Sequence, residues 1–274
     1  MSIKGRAIVA AILPAFIFIS GCNKSSNEAN SNKAASANAT ATGATPTSAE
    51  PDSNGLISSA TGVEKEKPEP GKANVQGKVF YNDKPVEGVE VKLCEKFSQY
   101  VDGCSGETFT TKTDANGEYL IKNVPPKIYE GLTVKVFNTP YYVFATSGIV
   151  QSAKYKIEAD KTFFAPDTNL FKSDLNVLNP KAGSKIDGNN IEVKWAAYPD
   201  AAYYKMSIFA DISSGAQTNY DYINKRVDGL SYTLDKPLAP GSYTCKVEAY
   251  NGNDRRLAES SDDIKFTVTG EAKK

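Results

Sequence analysis

From Ala73 onward the apolar side chains recur at every second position, and no stretch keeps the three-to-four spacing of a long helix. Val75, Val79 and Tyr81 share a parity, as do Val89, Val91 and Leu93, with Glu90 and Lys92 facing the other way. That period is the signature of half-buried strands. Turn signals return at strand-length intervals. Asn116-Gly117 is the clearest, because a type I′ turn needs positive φ at both central residues, which Asn and Gly tolerate. Frequent turns and β-branched residues argue against strand–helix–strand units. The expected fold is all-β, with two antiparallel β-sandwich domains in tandem over residues 73–173 and 174–274.

The N-terminal part reads differently. Lys4 and Arg6 precede an apolar run from Ala7 to Ile19, and no acidic residue occurs before position 28, which is a secretory signal pattern. Thirteen residues make about 20 Å of helix, short of the ~30 Å hydrocarbon core of a bilayer, and Pro14 interrupts them. The segment 1–21 therefore reads as a cleaved leader. Its end, Ile19-Ser20-Gly21-Cys22, resembles the bacterial lipobox. That resemblance implies diacylglycerol on Cys22 as the mature first residue, with further acyl chains that hold the protein to a membrane outside the cytoplasm. Either the cell membrane or an outer membrane fits. Residues 22–72 are rich in Asn, Ser, Ala, Thr, Glu, Lys and Pro, without an aromatic residue, and read as a disordered tether.

Charge and residue usage narrow the function. The chain has 32 basic and 32 acidic side chains, and loss of residues 1–21 leaves 30 against 32. No net positive field draws it to nucleic acid. It contains no histidine, which excludes a Ser-His-Asp triad, a Cys-His pair and the usual imidazole-rich zinc site. Phosphate-binding and Ser-x-x-Lys motifs are also missing. The expectation is a non-enzyme without cofactor or metal, with a small carboxylate-dependent hydrolase as a remote alternative.

Two further resemblances rest on particular residues. Pro85 to Leu93, then Thr113-Asp114-Ala115-Asn116-Gly117-Glu118-Tyr119, then Val124-Pro125-Pro126-Lys127-Ile128-Tyr129, follow an order similar to the carboxypeptidase regulatory-like domain. This resemblance implies a transthyretin-like sandwich with scaffold or binding duties. Ile191, Val193 and Trp195, followed by Leu238-Ala239-Pro240-Gly241-Ser242-Tyr243 and by Cys245, Val247 and Ala249 at alternate positions, resemble fibronectin type III or a related immunoglobulin-like module. That likeness implies a tyrosine corner at Tyr243.

Among the cysteines, Cys94 and Cys104 lie close enough in sequence for a bridge in an oxidising compartment, and Cys245 falls on a core parity. The bridge would clamp a loop containing Tyr100. Asp114, Asn116 and Glu118 are spaced like oxygen ligands, but the turn already accounts for them and an EF-hand series does not follow. Adjacent strand tyrosines point to opposite faces, so one ring of Tyr141-Tyr142 and one of Tyr203-Tyr204 can face solvent, and the Tyr220-Asp221-Tyr222 stretch is the best single candidate for an exposed aromatic segment. The candidate ligand-binding residues are Tyr220, Tyr222 and Tyr100. The functional expectation is a non-catalytic envelope lipoprotein for adhesion, envelope assembly or docking of a protein, and the alternative is capture of a polysaccharide on exposed tyrosines.

Overall fold

The computed structural model describes residues 52–98, 103–146, 153–217, 220–261 and 264–270. Cys22 and Tyr100 lie outside these, as does the side chain of Tyr220. Among the described residues there are strands and two single-turn 3₁₀ helices, and no α-helix.

The first sandwich uses β1 (Leu56–Ile57), β2 (Ala73–Tyr81), β3 (Lys84–Pro85), β4 (Glu90–Ser98), β5 (Gly103–Lys112), β6 (Glu118–Val124), β7 (Ile128–Tyr129), β8 (Gly131–Lys135), β9 (Tyr142–Phe144), β10 (Lys154–Lys156), β11 (Thr162–Phe164) and β12 (Thr168–Asn169). One sheet runs β5-β4-β8-β9, all antiparallel. The other is built on β2, which pairs antiparallel with β6 and β3 and parallel with β11 and β12. The odd-numbered residues Val75 and Val79 of β2 meet Ile121 of β6, Val91 and Leu93 of β4, and Leu132 and Val134 of β8 in one core. The alternation in sequence is thus the alternation between core and outer face.

The second sandwich uses β13 (Lys172–Leu175), β14 (Val177–Asn179), β15 (Lys185–Asp187), β16 (Glu192–Trp195), β17 (Tyr203–Asp211), β18 (Lys225–Val227), β19 (Ser231–Thr233), β20 (Gly241–Tyr250), β21 (Arg256–Ser260) and β22 (Ile264–Thr269). Its larger sheet is centred on the antiparallel pair β17·β20, and its smaller sheet runs β14-β16-β19. Val193 and Trp195 from the small sheet pack against Met206, Ile208, Cys245, Val247 and Phe266 from the large one. Both sandwiches follow the all-β reading. Short parallel pairs occur where the chain crosses between sheets, as at β13·β21 and β15·β22.

Two sequence expectations are corrected. The tether does not run to Lys72. Residues 52–72 lie along the first sandwich, where β1 pairs with β10 and Ile57 is buried in the core. Asn74 and Gln76 carry the following segment, the strap, although their parity faces away from the core. The Gln76 side chain accepts from Lys65 N at 3.1 Å and donates to Val63 O at 3.0 Å, while Asn74 Nδ2 donates to Glu66 O at 2.8 Å. The two amides are 1% and 8% exposed, for Asn74 and Gln76 respectively. A polar strap can order without a large apolar surface when buried amides satisfy its backbone.

The second correction concerns the turns. Asn116-Gly117 is not type I′, since Gly117 has φ +69° and Asn116 is not in the positive-φ region. Gly117 N donates to Asp114 O at 2.8 Å, and Asp114 Oδ1 accepts from Asn116 N and Glu118 N, each at 2.9 Å. The turn carries the chain from β5 in one sheet to β6 in the other. The two-residue turn with positive φ at both central positions is Asn82-Asp83, at +51° and +59°, between the paired Tyr81 and Lys84.

Candidate functional site

The two sandwiches fall in one compact unit, and the side chains that join them form the most elaborate polar assembly between distant parts of the chain. It begins with connectivity. β12 is paired in the first sandwich and β13 in the second, so Leu170 and Phe171 are the whole link. Leu170 is buried in the first core and Leu175 in the second, which leaves the link no slack.

The Asn82-Asp83 turn projects into the second sandwich. Asn82 Nδ2 donates to Asp200 Oδ2 at 2.8 Å. Asn251 Nδ2 donates to Asn82 Oδ1 at 3.0 Å and to Asp83 Oδ2 at 2.7 Å, and Asn253 Nδ2 reaches the same oxygen at 2.9 Å. Arg255 Nε stands 3.6 Å from Asp83 Oδ1. The receiving loops are themselves tightly turned, with Asp200 and Asp254 at φ +61° and +58°. Asn and Asp tolerate this backbone because their short side chains bond locally; Asp200 also bridges the two bodies, while Asp254 accepts from Tyr203 within the second.

Aromatic contacts complete the junction. Tyr81 and Tyr198 place their hydroxyls 3.3 Å apart, and Tyr198 donates to Asp174 Oδ1 at 2.9 Å. Burial first, then these bonds, push the Tyr198 phenol well above its ordinary range, so it stays a donor. Lys172 Nζ lies 5.1 Å from the Tyr81 ring centroid, and the Arg256 guanidinium is 3.4 Å from that of Phe171. Asn169 Nδ2 donates to Arg256 O at 2.9 Å. The sequence signal for this assembly was Asn82-Asp83, Asp200 and the Asn/Asp-rich 251–254, which local reading assigns to turns alone.

The residues singled out in the sequence are placed as follows. Cys94 and Cys104 are joined by a disulfide, with Cα atoms 5.5 Å apart, beside a register shift between β4 and β5. Tyr222 is no ligand platform: it is 1% exposed, and its hydroxyl accepts from Lys236 N at 2.6 Å and donates to Lys236 O at 3.2 Å. A 3₁₀ turn at Tyr220–Tyr222 replaces the strand assumed there, so strand alternation does not apply. Tyr203 and Tyr204 are both buried, and of the paired tyrosines Tyr141 is the ring that is open to solvent, at 68%. Asp114 spends its carboxylate on the turn and on Lys65 at 2.8 Å. Among the described residues no acidic, cysteine or histidine group of three is arranged to hold a metal ion. Cys245 is buried, and burial raises its thiol to about 12, which keeps it unreactive. Tyr243 donates to Ala239 O at 2.8 Å, the corner expected of it, and Tyr129 donates to Pro125 O at 3.0 Å with the same spacing in the first sandwich.

The chain matches no protein-family model and no curated protein. Among solved structures, the FN1–FN3 domains of chicken CNTN1 are 16% identical, over 76% of this chain and 71% of that one, with a TM-score of 0.26. The fibronectin(III)-like modules of Clostridium thermocellum CbhA are 14% identical, over 74% and 91%, also at 0.26. The major pilin subunit BcpA of Bacillus cereus is 14% identical, over 73% and 70%, again at 0.26. Such scores mean poor overall superposition, and the sandwich architecture rests on the chain's own sheets and cores.

Proposed function

We propose that the chain is a non-catalytic lipoprotein of the cell envelope that holds two β-sandwiches outside the membrane as one stiff body, for adhesion, envelope assembly or partner docking. The carrying observation is the junction: a two-residue link reinforced by side-chain bonds from Asn82 and Asp83 to Asp200, Asn251 and Asn253. Freely jointed modules would need none of these contacts. In this reading the first sandwich is of the carboxypeptidase regulatory-like kind and the second of the fibronectin type III kind, with Tyr243 as its corner. Supporting it are the order of motifs along the chain and the Tyr243 bond to Ala239.

The membrane attachment belongs to Cys22. Export of the full-length chain should yield a polypeptide that begins at Cys22, carries acyl mass and partitions into detergent. Cys22→Ser should abolish both the added mass and the partitioning, read by mass spectrometry of the N-terminal peptide. Acylated, detergent-partitioning Cys22→Ser protein would sink the assignment.

A further inference from the structure

The outer face of the large sheet in the second sandwich carries a charge arrangement that its own folding does not call for. Lys205 on β17 stands directly opposite Arg226 on β18. Like charges placed opposite one another on neighbouring strands are destabilising. On its other side Lys205 is opposite Glu248 of β20, but that carboxylate is engaged elsewhere. Glu248 accepts from Arg256 Nη1 at 2.6 Å and from the Tyr250 hydroxyl at 3.0 Å. Lys205 has no carboxylate partner within 4.0 Å among the described residues. The partner of Arg226, Asp228, lies 3.5 Å from its Nε, and both side chains are mostly exposed.

The two cations are nevertheless fixed in position. Tyr203 and Tyr250 stack with centroids 5.1 Å apart and planes 5° from parallel. The Arg226 guanidinium is 3.7 Å from the Tyr203 centroid, and Lys205 Nζ is 4.5 Å from that of Tyr250. The Tyr203 hydroxyl donates to Asp254 Oδ1 at 2.8 Å, which anchors the stack. Ring faces hold cations without neutralising them. Further along β17, Ser207 has the outward parity but is buried and bonded to Asn224, and Phe209 beyond it is 45% exposed opposite Thr244 of β20. Six strand steps lead from Tyr203 to Phe209, roughly 20 Å.

We infer that this face binds an acidic polysaccharide, with a sugar carboxylate set between Lys205 and Arg226 and a sugar ring further along the same chain lying on Phe209. Charge complementarity points to an anion, and an open ring about 13 Å along the same strand from the cations points to a linear chain of rings. Anionic membranes are recognised by clusters of about 4–8 cations, and duplex nucleic acid by a similar number of phosphate contacts; the pair Lys205 and Arg226, of which Arg226 already has Asp228 beside it, suits neither. The inference names a partner class for the display function proposed above, and the binding can be measured on purified protein whether or not Cys22 is acylated.

The test is affinity electrophoresis of the purified chain through gels containing sodium polygalacturonate or neutral dextran, with flotation on phosphatidylglycerol vesicles as a parallel arm. Polygalacturonate should retard the protein, less so as ionic strength rises, and dextran should not. Lys205→Gln and Arg226→Gln should each weaken retardation by about tenfold, Phe209→Ala should also weaken it, and Lys161→Gln, on the first sandwich and paired with Glu158, should not. Thermal melts of each variant separate lost binding from lost folding. Unretarded wild-type protein, equal retardation by dextran, undiminished retardation of folded Lys205→Gln and Arg226→Gln, or binding to vesicles alone would overturn the inference. None of those results touches the lipid assignment, which is read on Cys22.

Discussion

Gly77 of β2 stands opposite Tyr119 of β6, and the ring of Tyr119 lies over it. A Cβ at position 77 would be 2.4 Å from the Tyr119 hydroxyl oxygen and 2.6 Å from the ring carbon that bears it. Tyr119 is fully buried, and its hydroxyl has no hydrogen-bond partner among the described residues. Burial accordingly drives that phenol far above its usual range. Gly77→Ala should therefore cost about 1–3 kcal/mol by overpacking, seen as a lower denaturant midpoint at unchanged slope. Tyr119→Leu in the same chain should recover part of the loss by withdrawing the ring. An undisturbed midpoint for Gly77→Ala would mean the ring yields freely. Single residues also mark how far sequence reading reached at this scale. Trp195, Tyr243 and Cys245 were placed correctly because strand parity fixes burial. Tyr222 was misplaced because its backbone is helical for three residues, and parity has no meaning there.

At the scale of elements the strap over β2 is the main departure from expectation. Its composition looks like that of a tether, and its order comes from partners far along the chain. Ser59 Oγ accepts from Phe164 N at 2.9 Å, and Lys65 pairs with both Asp114 at 2.8 Å and Glu118 at 2.6 Å. Glu66 pairs with Lys122. The hydrogen bond from Lys65 is the first cause holding both the Asp114 and Glu118 carboxyls below their ordinary values. A carboxyl lowered in the folded state adds stability that is complete above its unfolded value, about pH 4, and fades as pH falls through its folded one. Thermal stability should thus be level above about pH 5 and decline below about pH 4. Lys65→Met should shrink that decline by the share of Asp114 and Glu118, leaving the share of Glu90, Glu95, Glu158 and Asp221, whose carboxyls are also lowered, and leaving the first core intact. Parallel melting curves for the two proteins across this range would show that the strap is held by its backbone bonds to Asn74 and Gln76 alone. The turns tell a similar story, since Asn-Gly advertises a hairpin in sequence. The side chain of Asp114 and the switch of sheets between β5 and β6 select another geometry.

For the whole molecule the decisive feature is that the Asn82-Asp83 turn, with the contacts of Tyr81 and Asn169, couples the two sandwiches. Asp83→Gly keeps a residue that accepts positive φ and removes only the carboxylate shared by Asn251, Asn253 and Arg255. Distances measured by spin labels, one on each sandwich, should be narrowly distributed in the native chain and broad in Asp83→Gly, with each core still folded. A narrow distribution in the variant would assign the stiffness to the Leu170-Phe171 link instead. By itself the amino-acid sequence determined the all-β class and the two cores. Those depend on local periodicity and composition, which neighbouring residues carry between them. The tertiary structure alone decided that residues 52–72 dock, that Asn82-Asp83 bridges the bodies, and that Lys205 and Arg226 share one aromatic shelf. Each of those joins groups tens to more than a hundred residues apart, and a side chain's partner at that range is set by strand register and sheet order, which no local pattern encodes.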